Sequence, residues 1–380
     1  MSAAPDKHRS VYHRFDSLVL RGEGRTGRAL FSVLVAFVLM IAGAVYVRPA
    51  VEPVVHGINY ALLSRNPFDF AQGNQMGFRL LTPVISYLIG LRGDLIIVTN
   101  LLMATAFLAM ALAYFRRNAP RPADALLAAT TFAFSLVTLT TIYYGGYCDS
   151  LTYLLIFLAW WFRANRPVFY LLILLGMTNH ESVAFLIPWF IFISYQVYPR
   201  KLYWLLDTVI GFTVTLGLYF LYRELITREQ QIRFSITYYF RPMAQNPWYW
   251  FYRSSGYKLL GFFTVFKLYW LFVIVAVTSM CKCRQWRQLV SIALILACAW
   301  AQMFFAFDSS RMLTLSFPVM VISLLHLLRH NPYRFRSWAG VVVIANFFVP
   351  QLYVGGKIVD KMHSLIGSIL AMQLSGRIGW

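Results

Sequence analysis

Runs of about 20 apolar residues recur along the whole chain, and each has the length an α-helix needs to cross the hydrocarbon of a bilayer. Inside lipid, every backbone N–H and C=O must find a partner within the protein, so a spanning segment is a helix or a strand of a closed barrel. Barrel strands would show as short segments of alternating hydrophobicity. The runs here are long and continuous. With 59% hydrophobic and only 13% charged residues, a soluble domain would have no polar coat. The chain therefore reads as all-α, a polytopic transmembrane bundle of about 10–11 membrane helices.

The formal net charge is +20, from 34 Lys and Arg against 14 Asp and Glu. The basic residues sit in short tracts between apolar runs, which is the positive-inside pattern. The partner this implies is the lipid bilayer with its anionic headgroups, and no nucleic acid is expected. Residues 1–29 read as a basic cytoplasmic tail rather than a signal peptide, because the apolar run that follows is long enough to stay as a helix. The tracts around Arg116, Arg163, Arg200, Arg284 and Arg334 go to the same side. Residues 30–354 form one integral membrane domain with outer loops at 49–93 and 223–257, and 355–380 is a tail on the outer side.

The expected spans are Ala29–Val47, Leu95–Phe115, Ala125–Tyr143, Leu151–Phe162, Tyr203–Tyr222, Leu259–Met280, Leu289–Phe307, Met312–Leu328 and Trp338–Val354. The run Val168–Tyr198 is interrupted by TNHES at 178–182 and is expected to fold as two short helices meeting at a turn. Polar backbone at that depth has to line protein or water. Between the first two spans, NPFDFAQGNQMGFRLLTPVISYLIG carries Asp69 in a polar loop and Arg79 at the mouth of Leu80–Leu91. That apolar stretch is too short to span and is expected to lie as a helix at the membrane interface.

This topology puts Asp69, Asp149, Glu181 and Asp308 on or near the outer face, together with Arg79, His180 and Arg311. An ionisable residue at membrane depth costs at least ~2.5–3.5 kcal/mol, so several converging on one side point to a polar cavity. Each also has a plain structural reading. Asp69 is also an ordinary loop carboxylate, and Arg79 either snorkels or clamps phosphate. Asp149 or Ser150 caps the helix after the Gly-Gly turn, and Asn179 or Thr178 caps the next one. Asp308 and Arg311, three apart, pair with each other. The aromatic run 248–252 is an interfacial belt or a platform for a sugar. Trp248 and Trp250, with Tyr147, Asn179 and Asp308, are the candidates for lining a substrate. GxxxxGK[ST], GxGxxG, HExxH and GxSxG are all absent, so nothing points to ATP-driven transport, metalloprotease or serine-hydrolase chemistry. Cys281 and Cys283 form a CxC without neighbouring ligands and read as free thiols, like Cys148 and Cys298.

An inside N-terminus, an acid and a surface helix in the first outer loop, and a polytopic cage resemble the GT-C superfamily of membrane glycosyltransferases. GFRLLTPVISYLIG at 77–90, YCDSLTYLL at 147–155, TNHESVAFLIP at 178–188 and DSSRMLTLSFP at 308–318 are similar to segments of bacterial GT-C-like integral membrane proteins. The resemblance covers roughly residues 30–330. It implies a multi-pass protein of the bacterial inner membrane whose active site faces the periplasm. It implies transfer of a sugar from a polyprenyl-phosphate donor to a lipid, glycan or protein acceptor, with inversion. The first-loop acid, Asp69 here, is then the general base, with Glu181 or Asp149 as a second carboxylate. Many members carry a pair of acids in that loop, whereas Asp69 stands alone. Arg79, Arg311 and His180 would meet the donor phosphate, and many members use a divalent metal (Mg or Mn) there. The chemistry fits independently: the acceptor hydroxyl needs a base, while a phosphate leaving group needs cations rather than a proton. The competing readings are a polysaccharide polymerase or ligase using a polyprenyl-linked substrate, a lipid or anion transporter or flippase, and a non-enzymatic assembly factor.

Overall fold

A computed structural model describes residues 7–69, 74, 76–197, 201–230, 245, 246, 248, 257–303, 308–330, 332–355 and 358–364. The chain begins with α1 (Lys7–Thr26), α2 (Arg28–Tyr46), α3 (His56–Arg65) and α4 (Leu81–Leu88). Next come α5 (Ile96–Asn118), α6 (Pro122–Ala133), α7 (Leu136–Tyr143), α8 (Asp149–Trp161), α9 (Arg166–Asn179), α10 (Ile187–Tyr195) and α11 (Lys201–Gln230). The last third holds α12 (Lys258–Phe266), α13 (Trp270–Lys282), α14 (Trp286–Gln302), α15 (Ser309–Leu313), α16 (Phe317–His330) and α17 (Pro332–Phe348). It closes with an antiparallel hairpin, β1 (Leu352–Gly355) and β2 (Ile358–Lys361).

Among the described residues, five helical segments are long and apolar enough to cross a membrane, and a sixth is counted if the bent pair α6–α7 is one span. Their burial ranks them by position. The Ser309–His330 segment is almost wholly enclosed by protein, whereas α2 and the Leu202–Ile226 part of α11 bury little. The outer faces of those two carry Leu34, Phe37, Val38, Ile41, Val209, Ile210, Val214 and Leu221, all exposed. In water such surfaces would be a liability, and in a bilayer they are the lipid-facing side. These helices mark a membrane-spanning protein.

Several expected elements come out differently. Within the expected basic tail, residues 7–26 form a helix: α1 docks on the turn after α5, with Glu23 taking Arg116 at 2.7 Å and Asp16 accepting from the Ala123 N–H at 3.1 Å. The expected span Ala125–Tyr143 is two helices bent by 50°. The expected span Leu259–Met280 breaks at Lys267, which has φ +48. Helix α11 runs to Gln230, so the expected outer loop starts later than 223, and most of that loop lies outside the described residues. The last helix stops at Phe348, where Val349 and Pro350 lead into the hairpin, so the chain is not purely α. At TNHES the expected break is present, between α9 and a 3-10 turn at Glu181–Leu186.

The basic tracts around Arg116, Arg163, Arg284 and Arg334 come together at one end, while Arg200 lies outside the described residues. Arg329 donates to Asn118, Arg336 holds Asp124 at 2.5 Å and 2.7 Å, and Gln285 Oε1 lies 2.9 Å from His326 Nδ1. The 56–90 segment, the α7–α8 turn, the α9–α10 break, α15 and the hairpin pack against one another in a second group, at the ends of the helices away from the basic tracts.

Candidate active site

The first half of the site is built on Arg79. It follows the turn at Met76–Phe78 and is buried. Its Nε donates to Glu181 Oε2 at 2.7 Å, Nη2 donates to Glu181 Oε1, and Nη1 donates to the Tyr60 hydroxyl at 2.8 Å. This is the bidentate geometry only a guanidinium provides. Burial works against the charge on Arg79, but Glu181 more than offsets it and holds the arginine firmly protonated. Helix α4, with Thr82, Pro83 and Ser86 buried, is pinned to the α9 end. The Thr82 N–H and Oγ1 both donate to Asn179 Oδ1, at 3.1 Å and 2.7 Å.

Arg311, on α15, builds the second half. Its Nη1 donates to Asp308 Oδ2 at 3.0 Å, and Nη2 lies 3.1 Å from His180 Nε2. Nε is 2.9 Å from Asp149 Oδ2. That contact lacks the angle of a hydrogen bond, and neither atom has a hydrogen-bond partner among the described residues. The guanidinium also covers the Tyr147 ring at 4.6 Å. His180 joins the two halves, with Nε2 4.0 Å from Asp149 Oδ1 and Nδ1 3.8 Å from Glu181 Oε2.

The local backbone explains how these elements meet. A Cβ at Gly57 would stand 2.2 Å from the Gly145 carbonyl oxygen. Gly146 has φ +90, and a Cβ there would stand 2.8 Å from Gly57 Cα. Only glycine on both sides lets the start of α3 lie against the α7–α8 turn. That approach brings Tyr60 and Arg79 to the same place as Tyr147 and Asp149. On the far side, Ser310 Oγ donates to the Val354 carbonyl at 3.2 Å and accepts from the Val354 N–H at 2.9 Å. The hairpin thereby covers Asp308, and Tyr353 packs on Tyr144 with ring centroids 4.4 Å apart.

Six of the expected residues thus converge: Arg79, Asp149, His180, Glu181, Asp308 and Arg311. Asn179 and Tyr147 stand beside them. Asp149 does not cap its helix, since its carboxylate goes to Arg311. Nor do Asn179 or Thr178 cap the next turn: the His180 ring does, accepting from the Ser182 N–H at 3.2 Å. Asn179 instead ties three elements together, its amide donating to the Cys148 carbonyl and to Thr152 Oγ1, both at 2.8 Å. Asp69 sits half-buried on the loop after α3. Its neighbour Phe68 packs on Tyr87 of α4 at 5.9 Å, and the ion pairs of the cluster are made by the other three acids rather than by Asp69. Trp248 is exposed, and Trp250 lies outside the described residues.

Sequence reasoning missed Tyr60, His56, Tyr353 and Ser310. His56 faces Tyr147, with ring centroids 6.0 Å apart. Burial and then the Arg311 charge lower its pKa below the usual histidine value. The Tyr147 phenol is pushed up to about 12, chiefly by burial. His56 sits in no motif, and the only signal available for it was its position next to Gly57. For a divalent metal the fit is poor. Among the described residues no three His, Cys, Asp or Glu side chains form a metal-binding group, and Asp149, Glu181 and Asp308 each face an arginine.

With three carboxylates against Arg79 and Arg311, the cluster is close to charge balance. It can hold carboxylates in fixed positions and offer them to hydroxyl groups, with aromatic rings of Tyr147, Tyr144 and Tyr353 alongside. Comparisons of this chain with protein-family models, with curated proteins and with solved structures each returned no match.

Proposed function

We propose that the Arg79–Glu181 and Arg311–Asp149–Asp308–His180 cluster is the active site of a membrane glycosyltransferase. It would take a sugar from a polyprenyl-phosphate donor and pass it to a lipid, glycan or protein hydroxyl on the non-cytoplasmic face. The observation that carries the reading is the convergence of these residues from four separated stretches of sequence at the end opposite the basic tracts. The GT-C-like segments at 77–90, 147–155, 178–188 and 308–318 are the stretches that supply them.

The roles follow from how each group is held. Glu181 is bound bidentately by Arg79, and Asp149 is buried, so both order the site rather than shuttle protons. Asp69, half-buried on the loop after α3, is the general base: it takes the acceptor proton as the hydroxyl oxygen bonds to the anomeric carbon. The bond from that carbon to the carrier phosphate breaks, and the electron pair leaves with the phosphate. Arg311, which faces Asp149, Asp308 and His180, is the cation for that developing charge. Arg79 is committed to Glu181 and Tyr60, so its part is to place α4 and Glu181.

A transport reading has one observation in its favour, the breaks at Ser135, His180 and Lys267, because interrupted helices are common in transporters. The test is transfer of labelled sugar from polyprenyl phosphate to a panel of cell-envelope acceptors by the detergent-purified protein. Transfer without a membrane supports the enzyme. A purified, folded protein that never transfers sugar, but moves the lipid across a reconstituted bilayer, contradicts it.

A further inference from the structure

At the end of the molecule opposite this cluster lies a cavity of about 200 Å³. It opens among Arg163, Arg287, Arg329, His326, Gln288 and Trp160, at the ends of α5, α8, α10, α14 and α16. No carboxylate is among its lining residues.

The contrast with the rest of that end is what matters. Arg116 has Glu23 at 2.7 Å, Arg336 has Asp124 at 2.5 Å, Arg166 has Asp207 at 2.9 Å and Arg121 has Asp16 at 3.8 Å. The cavity arginines are served by neutral groups or by none. Arg163 Nη1 donates to the Trp160 carbonyl at 2.9 Å, and Arg329 donates to Asn118 Oδ1. Arg287 makes no hydrogen bond or ion pair among the described residues, and the buried Oε1 of Gln288 beside it has no partner there. Arg287 and Arg329 are exposed and Arg163 is half-buried, so the cavity opens to solvent; three guanidiniums around it without a protein counter-ion among the described residues can take an external anion, and guanidinium forks match phosphate oxygens. Gln288 would accept from a hydroxyl on the same ligand.

We propose that this cavity binds a phosphate group carried by an anionic ligand. Two sources share that chemistry: the headgroup of an anionic phospholipid of the leaflet on this side, and a free phosphate ester or inorganic phosphate. The site is independent of the glycosyl-transfer reading.

The test compares the wild type with Arg163→Gln/Arg287→Gln and with Arg28→Gln, a highly exposed arginine outside the cavity. One arm measures phosphatidylglycerol retained by the purified protein in native mass spectrometry, with phosphatidylcholine as reference. The other measures the rise in Tm on adding inorganic phosphate in neutral detergent. Retention, or apparent affinity for phosphate, should fall roughly tenfold or more in the double variant, the size expected for one hydrogen bond to a charged group. Arg28→Gln should leave it unchanged. A loss only in the lipid arm identifies a headgroup, and a loss only in the phosphate arm identifies a soluble ligand. Equal behaviour of wild type and double variant in both arms, or the same loss in Arg28→Gln, overturns the proposal.

Discussion

Two buried arginines fix the site at the residue scale, and each is held by carboxylates that would be costly to leave alone. Removing one partner of a buried pair strands the other charge, at a cost of about 3–5 kcal/mol. We expect Arg79→Met and Glu181→Gln each to lower stability by an amount of that order, and the double variant to lose clearly less than the sum. Thermal unfolding of the four proteins in one detergent checks this, and additive losses would mean that the pair is not coupled. The individual residues were legible in the sequence because charge is rare in an apolar chain: Asp149, His180, Glu181, Asp308 and Arg311 stand out by their cost alone. Their partners were not. That Glu181 takes Arg79, 102 residues away, and that Arg311 takes Asp149 as well as its near neighbour Asp308, is fixed by packing. Tyr60 and Tyr353 carry no charge and fall in no motif, so nothing in the sequence set them apart.

Among the elements, the contact between α3 and the α7–α8 turn does most to bring the two halves together. It depends on Gly57 and Gly146. In Gly146→Val a β-branched side chain would have to adopt φ +90 while its Cβ stood 2.8 Å from Gly57 Cα. A loss of about 2 kcal/mol or more is expected from the backbone alone. Gly24→Ala, at a helical position where an added Cβ meets nothing, is the control and should be neutral or slightly stabilising. Equal stability of both variants would contradict the close approach. The runs of hydrophobicity located the long helices well, and TNHES announced its break because a polar pentapeptide interrupts an apolar run. The bend at Ser135 and the break at Lys267 were hidden, since the flanking residues are as apolar as those of an unbroken helix. Helix α1 was hidden for the opposite reason. Its basic, polar residues resemble a solvated tail, and only Asp16 and Glu23, which find partners on the next turn, make it dock.

For the whole molecule, the basic tracts around Arg116, Arg163 and Arg284 and the carboxylate–arginine cluster lie at opposite ends, and we propose from the positive-inside pattern that the basic end faces the cytoplasm. The chain carries its own reporters, because Cys281 and Cys283 are exposed at the basic end while Cys148 and Cys298 are buried. In intact cells an impermeant maleimide should label Val51→Cys, 86% exposed near the cluster, and should reach Cys281 and Cys283 only after permeabilisation. Labelling of the native pair from outside would invert the molecule and put the site on the wrong face for a lipid-linked donor. We propose that this end transfers sugar with Asp69 as base. The most direct test is the single-turnover rate of sugar transfer from polyprenyl phosphate by Asp69→Asn, with Tm measured on the same sample. The account predicts an unchanged Tm and a rate lower by ~10²–10⁴-fold, the usual contribution of a general base. A wild-type rate in Asp69→Asn would contradict it.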